Sequence, residues 1–115
     1  MGSVSNQLIK QQSLELLRAY QQERTPELRN RIVNINIGLV RKEAHRWLQA
    51  NTRAENYDDL VQIGSIGLFK AIERFDMSKG VELSTFATPY IRGEIRHYLR
   101  DKSTTVRIPR RWQKL

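Results

Sequence analysis

Apolar residues recur at helical spacing along almost the whole chain, and four helices account for the pattern. Leu8, Ile9, Leu16, Leu17 and Tyr20 predict a first helix from about Gln7 to Glu23. Thr25 followed by Pro26 is a start signal, because the Thr hydroxyl can accept from a free backbone amide and Pro suits the first helical position. The second helix then runs through Leu28, Ile32 and Ile35, weakens at "NINIG", and resumes as "LVRKEAHRWLQA". Gly38 is the expected point of bending or splitting. A third helix follows "NTRAEN", and Lys79–Gly80 mark a turn before a last helix for which Ser84 is the candidate cap. No strand is predicted, so the fold class is all-α, a compact bundle of about four helices.

The third helix, "YDDLVQIGSIGLFKAIERFD", places Tyr57, Leu60, Val61, Gly64, Leu68, Ala71, Ile72 and Phe75 on one face, which should enter the core. Its opposite face is unusual. Asp59, Gln62, Ile66, Phe69 and Glu73 recur there, with Ile63 and Lys70 beside them and Ile66 aimed almost directly away from the core. An apolar centre ringed by Asp, Gln and Glu fits a surface that docks a partner helix. The alternative is that the first or second helix of this small bundle covers it. Gly64 and Gly67 are read as close helix packing.

The last helix turns Thr88, Ile91, Ile95, Tyr98 and Leu99 inward and Phe86, Tyr90, Gly93, Arg96, His97 and Arg100 outward. Arginine neutralises phosphates, aromatic rings stack on unpaired bases, and glycine admits a strand close to the backbone. That combination suits single-stranded or melting nucleic acid better than an intact duplex. The alternative is a solvated basic face with Phe86 and Tyr90 folded under it. Charge agrees with a polyanion partner: the 115 residues carry a formal net +8, and residues 92–115 hold eight Lys or Arg against Glu94 and Asp101. In that tail Arg100, Lys102, Arg107, Arg110 and Arg111 are candidate phosphate contacts.

Composition narrows the remaining choices. The length suits one small domain, and the lack of cysteine removes disulfides and thiolate metal sites and fits a reducing cytoplasm. "MGSVSNQ" has no apolar signal core, and no later stretch could span a bilayer, so no membrane role is expected. Catalysis would need a constellation that is missing, since His45 and His97 stand apart and no metal-spaced ligand cluster or phosphate-cradling glycine loop occurs. Asp58 and Asp59 complement the dipole of a helix start more naturally than they hold a metal. Neither a cofactor nor a catalytic residue is expected.

The order "YDDLVQIGSIGLFKAIERFD", "ELSTFATPYIRGEIRHYLRD", "VRIPRR" resembles the sigma-70 family of bacterial RNA polymerase sigma factors, over roughly Leu28 to Arg111. The resemblance implies a region 2 domain over residues 1–104, with a preceding N-terminal helix, and the start of the following region or linker at 105–115. It implies docking of the segment from Asp59 to Phe69 on the clamp coiled coil of the largest subunit of core RNA polymerase, with Asp59, Gln62, Ser65 and Phe69 at matching contact positions; Ile63 and Ile66 of the outer stripe complete the candidate polymerase-binding set. Through Phe86, Tyr90, Gly93 and Arg96 it implies reading and melting of the minus-ten promoter element by capture of the non-template strand. Pro89 and Tyr90 stand where primary factors carry a tryptophan pair, and Gly93 stands where they carry a larger polar residue. "PYIRGEIRHYLRD" looks instead like the alternative factors of the general-stress and sporulation type, which implies a specialised regulon and control by an anti-sigma factor. A complete member would continue into a second DNA-binding domain, so this chain is expected to be part of a longer cytoplasmic factor. The competing reading is a basic helix-turn-helix-like regulator that binds duplex DNA without docking on polymerase. It gives Ile66 no role. Pro89 is also expected to disturb the last helix.

Overall fold

The computed structural model describes residues 2–50 and 56–106, which form five α-helices with no strand among them. They are α1 (Gly2–Gln22), α2 (Pro26–Ile35), α3 (Ile37–Ala50), α4 (Tyr57–Arg74) and α5 (Leu83–Val106). The all-α expectation holds. The count rises from four to five because the predicted second helix splits, and it splits at Asn36 rather than Gly38. Asn36 is buried, and its side-chain amide donates to Ser13 Oγ at 2.7 Å and to the Ile32 carbonyl at 2.9 Å. A buried amide needs such partners. The break therefore sits where the chain can satisfy one while fastening α2 to α1; Gly38 lies inside α3.

Thr25 caps α2 as its sequence predicts, its hydroxyl accepting from the Leu28 amide at 3.2 Å with Pro26 in the first turn. Ser84 does not cap the last helix. That helix already begins at the buried Leu83, the Phe86 amide reaches the Glu82 carbonyl, and Ser84 instead offers its own carbonyl to Thr88 Oγ1 at 2.7 Å. Nor does Pro89 interrupt α5. Pro inside a helix costs about 3 kcal/mol, but Ala87, Ile91 and Ile95 are buried on both sides of it, and each large aliphatic side chain returns about 1.5–3 kcal/mol. Burial outweighs the missing hydrogen bond.

The core gathers Leu17 and Tyr20 of α1, Ile32 of α2, Val40 and Ala44 of α3, Leu60, Leu68, Ala71 and Ile72 of α4, Phe75 just beyond it, and Leu83, Ala87, Ile91 and Ile95 of α5. The expected α4 core face is buried or half-buried throughout, and Gly67 joins it. A Cβ on Gly67 would lie 2.7 Å from the Ile91 Cα, so the α4 and α5 backbones touch there. Gly64 faces side chains instead, chiefly Val40 Cγ1 at 2.8 Å. The close-packing reading of these glycines is correct. Between α4 and α5 a single 3-10 turn, Met77–Lys79, is capped by Asp76, whose carboxylate accepts from the Ser78 hydroxyl at 2.6 Å and amide at 2.9 Å. Those bonds hold the Asp76 carboxyl below its usual range. Gly80 then takes the left-handed conformation (φ 69°) that closes the turn.

Candidate functional site

Two surfaces carry the sequence-predicted residues, one on each of the helices joined at Gly67. The first is a groove between α2 and α4. Asn30, Val33 and Asn34 form its α2 wall, and Gln62, Ser65, Ile66 and Phe69 its α4 wall, around an open space of about 610 Å³. Ile66 is 45% exposed, a high value for a large aliphatic residue. Ser65 donates its hydroxyl to the Val61 carbonyl at 2.7 Å, which satisfies that donor within the helix. Apolar Val33, Ile66 and Phe69 are thus flanked by amide side chains, the arrangement of a protein-binding patch. The second helix covers part of the stripe at Phe69 and leaves Ile66 open.

Not every predicted contact residue lines this groove. Ile63 packs against the core, and Asp59 stands half-buried in the first turn of α4 beside Asp58, where a carboxylate complements the helix dipole. No group of three or more His, Cys, Asp or Glu able to hold a metal occurs among the described residues. One groove neighbour escaped the sequence reading. Arg29 of α2 lays its guanidinium 4.0 Å over the Phe69 ring. Only the cross-helix geometry reveals that contact, because the two residues lie forty positions apart in sequence.

The second surface is the outer side of α5, and here the rings are less free than expected. Phe86 and Tyr90 are half-buried, not exposed. Phe86 sits between the buried Phe75 ring (centroids 5.5 Å apart, planes at 60°) and Tyr90 (5.2 Å, 42°), and the Arg74 guanidinium lies 5.8 Å from the Tyr90 centroid. A helical wheel of α5 contains no trace of Phe75, which approaches from the end of α4. Tilted rings at these distances attract one another, so the stack forms without a partner. Gly93, Arg96, His97 and Arg100 are exposed, and Arg100 Nη2 lies 3.1 Å from His97 Nδ1. Nothing stands within 4 Å of a Cβ built at Gly93. Lys102 belongs to the last turns of α5, while Arg107, Arg110 and Arg111 lie outside the described residues.

Ion pairs brace α5 against its neighbours. Lys70 Nζ meets Glu94 Oε2 at 3.1 Å across α4 and α5. Arg92 Nε donates to Glu43 Oε1 at 3.0 Å across α3 and α5, with Arg46 3.6 Å from the other oxygen. Glu43 is only 5% exposed and was invisible as a site in the sequence, where it reads as one more helix-surface charge. A buried carboxylate held by two arginines orients the helix that carries the rings. No helix among the described residues is long and apolar enough to cross a membrane.

Known proteins share this arrangement of sequence. Residues 32–105 match the family model described as Sigma-70 region 2. The chain is similar to the RNA polymerase sigma-F factor of Kitasatospora aureofaciens, 44% identical over 88 residues that make up 76% of this chain and 29% of that protein. It is similar to the RNA polymerase sigma-G factor of Bacillus subtilis, 45% identical over 96 residues, 84% of this chain and 35% of that protein. The RNA polymerase sigma-B factor of Bacillus anthracis is 36% identical over 104 residues, 90% of this chain and 39% of that protein. The chain therefore aligns with well under half the length of these relatives. With the family match running from the last turn of α2 to the end of α5, the chain belongs to the sigma-70 family, as a region 2 of the alternative type.

Proposed function

We propose that this chain is the part of an alternative sigma factor that binds core RNA polymerase through the α2–α4 groove and opens the minus-ten promoter element with the outer face of α5. The observation that carries the reading is the open groove itself: an exposed Ile66 with Phe69, Gln62 and Ser65 beside it, on a face free to take a partner helix. The clamp coiled coil of the largest subunit is the proposed occupant, and Asp59 and Ile63 extend the contact beyond the groove. On α5, Phe86 and Tyr90 hold a base extracted from the non-template strand, Gly93 admits its backbone, and Arg96, His97 and Arg100 meet its phosphates. Lys102, Arg107, Arg110 and Arg111 add affinity with little sequence information.

On this reading residues 1–104 act as one unit and 105–115 lead into the following region. The factor has no catalytic chemistry of its own, works on DNA in the cytoplasm, and is open to control by an anti-sigma factor. The test is co-purification of the chain with core RNA polymerase, with Ile66→Asp as the comparison. Losing a central interface anchor costs about 2 kcal/mol or more, roughly thirtyfold in affinity. Ile66→Asp is expected to lose polymerase at that level while keeping its helicity and Tm. Polymerase binding that survives the substitution removes the groove from the proposal.

A further inference from the structure

We infer that Arg29 is a positioning residue for the polymerase contact, fixing the Phe69 ring as a wall of the groove. The inference rests on the groove reading above and adds to it a residue that does not line the groove. Three observations carry it. The guanidinium carbon of Arg29 stands 4.0 Å over the Phe69 ring, well inside the roughly 6 Å at which a cation and an aromatic face attract. Arg29 Nε is buried and finds no hydrogen-bond partner among the described residues, so the ring, and not a hydrogen bond to that nitrogen, fixes the planar group. Phe69 is half-buried and lines the groove, and its ring meets the Arg29 guanidinium.

The consequence is mechanical. A ring at a groove wall can swing about its first side-chain torsion, and a partner helix that binds must then immobilise it. With a cation stacked on it, the Phe69 ring is held before the partner arrives. Arg29 crosses from α2 to do this, so it also sets the ring in register with Val33 on the opposite wall. Covering the groove removes water from the pair, which strengthens a cation–ring attraction. Arg29 therefore contributes more in the complex than in the free domain.

The experiment is a double-mutant cycle on binding to core RNA polymerase, using Arg29→Met, Arg29→Lys, Phe69→Leu and the Arg29→Met/Phe69→Leu pair, with Ile66→Asp alongside. Met keeps the length and apolar stem of Arg29 while removing the cation. The expected result is about a fivefold loss of affinity for Arg29→Met, partial recovery in Arg29→Lys, and less than about a twofold further loss when Arg29→Met is added to Phe69→Leu. Melting curves accompany each variant. If the Tm of Arg29→Met falls steeply, Arg29→Lys takes its place in the cycle, keeping the charge but giving up the planar stack. Wild-type affinity in Arg29→Met overturns the inference, as does an equal loss with and without the Phe69 ring, because Arg29 then acts on the partner directly. Normal binding by Ile66→Asp is a different failure, since it removes the groove reading itself.

Discussion

The groove between α2 and α4 and the outer face of α5 each mix apolar and polar side chains, yet they meet a partner in different states. In the groove, Ile66 stands open, and its neighbour Phe69 is held from behind by Arg29. On α5, Phe86 is already engaged by Phe75 on one side and Tyr90 on the other, and the cations stand outside the rings. A helix can settle into the groove with little rearrangement. A base that stacks on Phe86 must exchange with, or add to, an existing ring contact. On the proposed function the difference suits two kinds of partner: a folded helix would find a preformed surface, whereas a melted strand would meet a stack that an unpaired base can join and a paired one cannot.

The helix that carries Ile66 nevertheless packs on the helix that carries Phe86, most closely at Gly67, and breaking that contact is the harshest way to attack the comparison. At Gly67 an added methyl would run into the Tyr90 carbonyl and the Ile91 Cα, which are backbone and cannot turn aside. Overpacking of this kind costs up to about 3 kcal/mol. Ala is intrinsically about 1 kcal/mol better than Gly within a helix, which leaves a net loss of about 2 kcal/mol for Gly67→Ala. For a domain of this size that lowers Tm by roughly 8–16 °C, readable by circular dichroism. Polymerase and single-strand binding should fall together near the lowered Tm. If Gly67→Ala melts like the parent chain, α4 and α5 can part there, and the two surfaces are not coupled through this packing.

The next test separates ring packing from ring function at Phe86. Phe86→Ala in a full-length factor with core polymerase is expected to reduce open-complex formation at least about tenfold, since stacking on an unpaired base contributes about 1–3 kcal/mol. Because the ring also packs on Phe75, the Ala variant loses some stability as well. Phe86→Leu resolves the two contributions: it keeps most of the apolar volume and offers no π-face. Leu should melt promoters nearly as poorly as Ala while holding its Tm, and Tyr should be mild. On a pre-melted bubble the defect should shrink but persist, because unpairing is done while stacking is still lost. Permanganate footprinting reads all four proteins. A Leu variant that opens promoters normally would assign Phe86 to packing alone.

These tests also mark where the sequence could be read and where it could not. Local chemistry was legible: Thr25 and Pro26 cap α2, Lys79 and Gly80 close the turn, and the wheel of α4 separates its buried face from Ile66. What escaped depends on partners far along the chain. Asn36 takes the helix break from Gly38 because Ser13 supplies a buried hydroxyl, and Pro89 stays within α5 because flanking residues bury against α4. Phe86 is half-covered because Phe75 comes from another helix, and Glu43 and Arg29 matter only through α5 and Phe69. A wheel resolves which way a side chain points. It does not resolve what waits there.

The gentlest test lies at Gly93, where stability and binding are expected to move in opposite directions. Gly93 is exposed in the interior of α5, and a Cβ there would meet nothing within 4 Å. In the free domain Gly93→Ala therefore gains only helix propensity, about 1 kcal/mol, and Tm should rise by roughly 4–8 °C. This is the reverse of Gly67→Ala, although both put one methyl inside a helix. The open space at Gly93 is also where a captured strand would run beside the backbone, between the rings and the arginines. A methyl placed there would push the strand outward and lengthen its contacts with Arg96 and Tyr90. The expected result is about a threefold loss of affinity for a single-stranded minus-ten oligonucleotide, some 0.7 kcal/mol, in the same protein whose Tm has risen. A more stable variant that binds the strand as well as its parent would show that nothing approaches the backbone at this glycine. The strand would then have to be held by the Phe86–Tyr90 stack and the arginines alone, and the outer face of α5 would be a surface of side chains, like the groove on α4.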